Sequence, residues 1–433
     1  MTNDSTAPHT HTEDLLRSHL RGELEALDLP PLPAEFHDTS NRTPIARRAL
    51  IGAAAAGVAG IAVVGKRWRT DPVTAPMGRS ATTSSALMWS PLTPMWLTPR
   101  ASMRAARVGN RALFLGGLHT RPPCPPAAFC VPDYWLDDGA ILDADGSWRR
   151  IGISGTDQAP SSVTTIGDTV IVVTGTTLLA VEASTGNTHE LAPPKALADY
   201  GSPTGSADHF YAIRSSDEAT SGTGNVQVLD IATGTWTVLP PDPLGRSFDR
   251  TLTWTDAGLV LFAKKLVPNP GGADGPAFVR AALFDGTTWR AFPDLDCIGG
   301  TAWHWTGARL VCPELGGADG GERNGFGRVI PFGGRLDPRT GEFTELPNAP
   351  ATEASSGWLT GPATGSRMVH QGWLYDDSDG SWTALPRPPG GEWIESAGVL
   401  FDDRLVVAGG YDLRDGYQST AGLTNQAWSL ALP

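Results

Sequence analysis

Thr233-Gly234-Thr235-Trp236-Thr237-Val238-Leu239-Pro240 decides the fold, because the same succession returns along the chain. A glycine closes a tight turn, an aromatic follows in a β-favouring run, and a leucine and a proline end it. The other copies are Asp145-Gly146-Ser147-Trp148, Asp285-Gly286-Thr287-Thr288-Trp289, Thr340-Gly341-Glu342-Phe343 and Asp379-Gly380-Ser381-Trp382. A sixth, Thr185-Gly186-Asn187-Thr188-His189, carries His in the aromatic place. Successive aromatic positions are roughly 40 to 54 residues apart, the period of a supersecondary unit that buries its faces only against its neighbours.

Upstream of most turns stands a second recurring element, an aliphatic strand ending at glycine: ALFLGG to Gly117, VIVVTG to Gly175, RLVCPELGG to Gly317 and LVVAGG to Gly410. The order strand, Gly-Gly, strand, turn glycine, Trp strand resembles the kelch repeat, whose unit is a four-stranded propeller blade. The resemblance runs from about Ala86 to the C-terminus and implies an all-β, kelch-like β-propeller over 86–433. Glycine suits the inter-strand turns because it tolerates positive φ, and the Trp packs between adjacent blades. The last copy, Leu423 to Leu430, supplies a third strand but no fourth. Ser85 to Leu92 has the look of that fourth strand, and pairing the two would remove the exposed sheet edges. Fourth strands at Trp89, Trp148, His189, Trp236, Trp289, Phe343 and Trp382 give seven blades, or six if 151–193 forms no full sheet.

Composition agrees with a turn-rich all-β chain: 51 glycines, 36 prolines and only 18% charged residues in 433. Four of the 33 basic residues are lysine, and this Arg- and Ala-rich usage fits a GC-rich bacterial genome. The formal charge of −13 repels phosphates, so no nucleic-acid partner is expected.

Ala49 to Gly65 is an uncharged apolar run that reaches roughly 26 Å as a helix, enough for a thin bilayer core. Arg47-Arg48 precede it, and the pair followed by Ala49-Leu50-Ile51 resembles a twin-arginine export signal. The cleavage-site candidate Val73-Thr74-Ala75 is followed by Pro76, which favours an uncleaved anchor over a removed signal; secretion after cleavage is the alternative. The expected organisation is a cytoplasmic tail over 1–46, a hydrophobic anchor or signal segment over 47–66, a linker over 67–85, and the propeller outside the cytoplasm. Within the tail, 13–29 reads as an amphipathic helix with Thr12 as cap, a stripe of Leu16, Leu20, Leu24 and Leu27, and Pro30-Pro31 as stop. It is a candidate for a cytoplasmic partner or for the membrane surface.

Cys124 and Cys130 flank a short proline-bearing stretch, and Cys297 and Cys312 fall on the expected first two strands of blade five. Two local pairs in an exported domain point to disulfides 124–130 and 297–312, among three connectivities that four cysteines permit. No C-x-x-C or H-x-x-x-H spacing occurs, so neither a metal nor a cofactor is expected. Asp143, Asp145, Asp376, Asp377 and Asp379 lie at repeat turns, where Asp serves its own backbone. Galactose oxidase is the enzyme built on kelch blades, but no Tyr, His and Cys constellation here aligns with its copper site, and none of its catalytic residues carries over.

The longer connections are 118–138, 214–224, 265–278, 317–328 and 411–424. The kelch resemblance implies that such second-to-third-strand loops project from one face of the disc and bind partners there. They carry His119, Arg121, Tyr134, Trp135, Arg214, Lys265, Arg323, Asn324, Arg414 and Tyr417, and arginines and aromatics on a rigid scaffold make a contact surface for a protein or glycan ligand. Three readings remain open: a membrane-anchored binding or sensing module, an exported lyase, glycosidase or oxidase working in the channel, and a transmembrane signalling protein.

Overall fold

The computed structural model describes residues 87–119, 135–153, 159–175, 177–193, 203–213, 225–267, 275–299, 302–315, 330–347, 358–415 and 420–433. All belong to one compact unit. The expected helix at 13–29, the apolar segment 49–65 and the arginine pair lie outside the described residues. Among the described residues no helix is long and apolar enough to cross a membrane.

The chain folds as a seven-bladed β-propeller. Blade 1 is β2 (Arg104–Val108), β3 (Arg111–Leu115), β4 (Asp138–Leu142) and β5 (Trp148–Gly152). Blade 2 is β6 (Pro160–Ile166), β7 (Thr169–Thr174), β8 (Thr177–Glu182) and β9 (Thr188–Leu191), a full sheet that excludes the six-bladed count. Blade 3 contains β10 (Thr204–Gly205), β11 (His209–Ala212), β12 (Gln227–Asp230) and β13 (Thr235–Val238). Blade 4 contains β14 (Ser247–Thr255), β15 (Gly258–Lys265), β16 (Val279–Phe284) and β17 (Trp289–Ala291). Blade 5 has β18 (His304–Trp305), β19 (Leu310–Cys312), β20 (Gly334–Leu336) and β21 (Phe343–Thr344). Blade 6 has β22 (Ala363–Thr364), β23 (Arg367–His370), β24 (Trp373–Asp376) and β25 (Ser381–Ala384). Each sheet is antiparallel, and its first strand faces the ring axis.

Blade 7 is built from both ends of the propeller. β27 (Ala397–Leu400), β28 (Arg404–Ala408) and β30 (Ala427–Ala431) are joined by β1 (Trp89–Pro91), with Trp89 opposite Leu430 and Pro91 opposite Trp428. A separate two-stranded ribbon, β26 (Trp393–Ile394) with β29 (Tyr411–Asp412), stands beside it.

The central residues of the second strands are apolar because both faces of a blade are buried. In β3, Ala112 and Phe114 pack toward blade 7, whereas Leu113 and Leu115 pack toward blade 2. β7 repeats this, with Val170 and Val172 against blade 1 and Ile171 and Val173 against blade 3. The core is thus divided among seven seams. The seam between blades 5 and 6 is the most polar: beside Val311 and Met368, Tyr375 donates to Asp377 at 3.1 Å and Arg309 pairs with the same carboxylate at 3.2 Å.

The repeat motif acquires its physical meaning at these seams. Each fourth-strand indole donates Nε1–H to the carbonyl just after a leucine in the preceding blade's tail. Trp148 bonds Thr93 (2.8 Å), Trp236 bonds Ala192 (2.8 Å), Trp289 bonds Pro240 (2.9 Å), Trp382 bonds Pro347 (2.9 Å) and Trp89 bonds Pro386 (2.9 Å). Two seams lack the indole, because His189 and Phe343 occupy its place. There an arginine reaches across in the opposite direction. Arg149 Nη2 donates to Ala183 O at 2.8 Å, and Arg290 Nη2 to Arg339 O at 2.7 Å. The same two seams have Ile151 and Phe292 where the others have leucine. At Gly341, φ is +80° and an added Cβ would lie 2.5 Å from the Phe292 ring, so this turn excludes any side chain on two counts.

Candidate functional site

Antiparallel blades give the ring two unlike faces. One carries the turns between first and second and between third and fourth strands. The other carries the connections from second to third strands, and from each fourth strand to the next blade. The connections after β3, β11, β15, β19 and β28 are the long ones; those after β7 and β23 are tight.

Of the loop residues expected to bind, the described ones are His119, Trp135, Lys265 and Arg414. Arg121, Tyr134, Arg214, Arg323, Asn324 and Tyr417 lie outside the described residues, as do Cys124 and Cys130. His119 and Trp135 come together in blade 1. Leu118 bridges both Ala101 and Trp135, His119 Nδ1 lies 3.0 Å from Pro99 O, and Trp135 is 43% exposed. The other two belong to different blades and already have partners. Lys265 is 3.5 Å from Asp294, and Arg414 pairs with Asp412 at 2.6 Å while also donating to Gly390 O. The Arg414 hydrogen bonds, against the cost of burial, hold the Asp412 carboxyl far below the usual range.

Sequence reasoning passed over the connection that enters blade 1, Met95 to Ser102. Trp96 stands 53% exposed between two fully or almost fully buried neighbours, Met95 and Leu97. Asn425 Nδ2 donates to both their carbonyls, at 2.8 and 3.3 Å, so the indole sits on a fixed mount. Behind it Arg100 is completely buried, donating to Thr98 O and Gly116 O and pairing with Asp138 at 2.6 Å. Burial lowers its pKa, and the hydrogen bond with Asp138 opposes the shift. The two Gly-Gly pairs close around this linker: a Cβ on Gly117 would meet Ala101 O at 2.8 Å, and one on Gly409 would meet Arg100 O at 2.7 Å. The only signal for this site was the pattern Pro94-Met95-Trp96-Leu97, an aromatic set between apolar residues.

At the axis end of the same seam, Ser102 Oγ donates to Glu395 Oε2 at 2.6 Å, and both residues have left-handed backbone, φ 56° and 54°. Such strain persists only where surrounding structure holds it; here the Ser102 N–H bonds Glu395 O at 2.9 Å.

Cys297 and Cys312 correct the expectation. They are free thiols, both buried in the apolar seam between blades 4 and 5, and the 297–312 disulfide is not formed. Cys297 lies in the connection before β18 rather than on a strand, and Cys312 Sγ is directed to Glu314 Oε2 at 4.0 Å. Burial, reinforced by Glu314, pushes the Cys297 thiol up to about 12 and raises Cys312 as well. Of the turn aspartates, Asp145, Asp376 and Asp379 act as read from sequence, accepting from the N–H groups of Ser147 (2.9 Å), Ser378 (3.0 Å) and Ser381 (2.9 Å). Asp143 instead pairs with Arg111 and Arg149, and Asp377 pairs with Arg309 in the seam between blades 5 and 6. Among the described residues, no group of three or more His, Cys, Asp or Glu side chains could hold a metal ion.

Among the described residues, two recesses lie on the turn face. Between blades 7 and 1, a hollow of about 280 Å³ is lined by charges that pair among themselves, Arg107 with Asp402 at 3.1 Å and Arg404 with Asp403 at 3.5 Å. Along the inner strands of blades 3, 4 and 5 lies a larger cavity of about 390 Å³, aromatic in character. No family profile matches this chain, and no curated protein matches it in sequence.

Proposed function

We propose that this protein is a kelch-like binding or sensing module, anchored in a membrane by residues 49–65 with its propeller outside the cytoplasm. A protein or glycan partner seats on the loop face. The observation that carries this reading is Trp96: a half-exposed indole, gripped on both sides by buried neighbours and by Asn425, on the face where the long connections gather. Exposed, rigid Trp is the usual energetic centre of a contact surface, because little side-chain entropy is lost when it is covered. Trp135 and His119, on the adjoining connection of blade 1, extend the same surface. Residues 13–29 would offer a second, cytoplasmic contact.

The test uses the full chain. Immobilised protein should retain a partner from a detergent-solubilised envelope fraction, and the Trp96→Ala/Trp135→Ala variant should lose it. Equal recovery by both would remove the loop-face reading. Externally added protease should cleave the propeller in intact spheroplasts; complete protection would contradict its placement outside.

A further inference from the structure

The cavity of about 390 Å³ lies at the end of the ring opposite the loop face. It touches Thr204 of β10, Thr253 and Trp254 of β14, and Trp303, His304 and Trp305 in and before β18. These segments adjoin the turns from first to second strands, so the cavity opens on the turn face. Its volume falls in the range of about 300–1,000 Å³ of small-molecule pockets, at the lower end.

Three properties define what it can hold. Among the described residues none of those lining it carries a charged side chain, and burial lowers the pKa of His304, leaving the ring neutral near pH 7. A phosphate or carboxylate would find no counter-charge there.

The aromatic surface is also fixed in advance. Trp254 stacks on Tyr211 with centroids 5.2 Å apart and planes 10° from parallel. Trp303 stacks on Phe262 at 4.5 Å and 3°. Arg339, itself paired with Asp256 at 2.7 Å, holds its guanidinium 5.9 Å from the Trp305 ring centre.

Third, the lining has unused hydrogen-bond donors. The five indoles of the blade seams all donate to carbonyls, but those of Trp254 and Trp305 have no partner among the described residues. Thr204 Oγ1 accepts from the Trp254 backbone N–H at 3.1 Å and keeps its own proton to give. The His304 ring is turned toward blade 6, where Nε2 donates to Gly365 O at 3.0 Å, so it offers the cavity no acceptor.

We infer that this cavity is a binding site for a neutral pyranoside. A sugar ring presents C–H bonds on a face, which suit the electron-rich face of an indole. Its edge presents hydroxyls, each able to give and to accept a hydrogen bond. A purely apolar ligand would leave the indole N–H groups and the Thr204 hydroxyl without partners, at a cost that the pyranoside avoids. The site is separate from the loop face, and neither reading depends on the other.

The probes are methyl β-glucopyranoside, methyl β-galactopyranoside and cellobiose, with glucuronate and glucose 6-phosphate as charged counterparts. Saturation-transfer NMR and tryptophan fluorescence are recorded on the full chain. At least one neutral glycoside should bind saturably in the millimolar range, and the charged sugars more weakly. Trp305→Ala should weaken binding by at least about tenfold, a loss of about 1.4 kcal/mol. Thr204→Val, which removes only a hydroxyl and keeps the shape, should weaken it several-fold with an unchanged melting temperature. Ser147→Ala, at an exposed turn of blade 1 that belongs to neither site, should leave it intact. The inference is overturned if no neutral glycoside binds, if Thr204→Val and Trp305→Ala both bind like the parent, or if the charged sugars bind equally well.

Discussion

Trp89 Nε1 donates to the Pro386 carbonyl at 2.9 Å across 297 residues of sequence. The bond does in the closing blade what Trp148, Trp236, Trp289 and Trp382 do elsewhere in the ring, and it fastens the strand that completes blade 7. Trp89→Phe keeps an aromatic ring against Trp358 and removes the donor. Urea unfolding should show a loss of about 1 kcal/mol, the net worth of one such hydrogen bond. Removing residues 87–91 instead should cost far more and promote association, since the edge of β30 would be left unpaired.

Arg149 and Arg290 take over at the two seams that lack an indole, so Arg149→Ala and Arg290→Ala should each destabilise by about 1 kcal/mol. The seams are separate, and the double variant should show additive losses. A double variant no less stable than either single one would show that these contacts are incidental to the ring.

His370 lies in β23 with Nε2 buried and unpartnered, and burial lowers its pKa to about 4. An unfolded histidine titrates near 6.5, so below that pH the unfolded chain binds a proton that the folded one resists. Its contribution to stability is therefore intact above pH 6.5, falls between 6.5 and 4, and levels off below 4, for a total of about 3 kcal/mol. His370→Phe should flatten the parent's stability profile over that window. The difference between the two urea-midpoint curves is the measurement.

Cys297 and Cys312 are buried thiols with raised pKa values. N-ethylmaleimide at pH 8 should leave both unlabelled in the native protein and label both once urea unfolds it. Peptide mapping separates them from Cys124 and Cys130. A 297–312 disulfide-linked peptide in the untreated protein would contradict the free-thiol arrangement.

The blade count and the closing strand were readable from the chain because every blade repeats its own local chemistry. Positive-φ turn glycines and two-sided apolar second strands leave marks that do not depend on distant residues. All seven assigned fourth-strand aromatics, including the atypical His189 and Phe343, occupy that strand in the structure. The two recesses were not readable. Trp254 and Trp305 look in sequence like any other strand aromatics, and their unspent N–H groups become evident only when the seam indoles are seen to be satisfied. Trp96 was missed for a related reason: its exposure is imposed by Asn425, 330 residues from Met95. The cysteines misled because their spacing resembles a local bridge, whereas the fold directs Cys312 toward Glu314.

The pairing of each seam also limits how such a ring can gain or lose blades. Blade 3 enters with Trp236 and leaves with Leu239, so a tandem copy of it would present donor and acceptor in the right order at both new junctions. Blade 1 enters with Trp148 but leaves with Arg149 and Ile151; a copy of it beside itself would set its exit against an indole instead of the turn that Arg149 grips. What duplication must preserve is therefore the junction, and only blades that enter with Trp and leave with Leu are freely interchangeable parts.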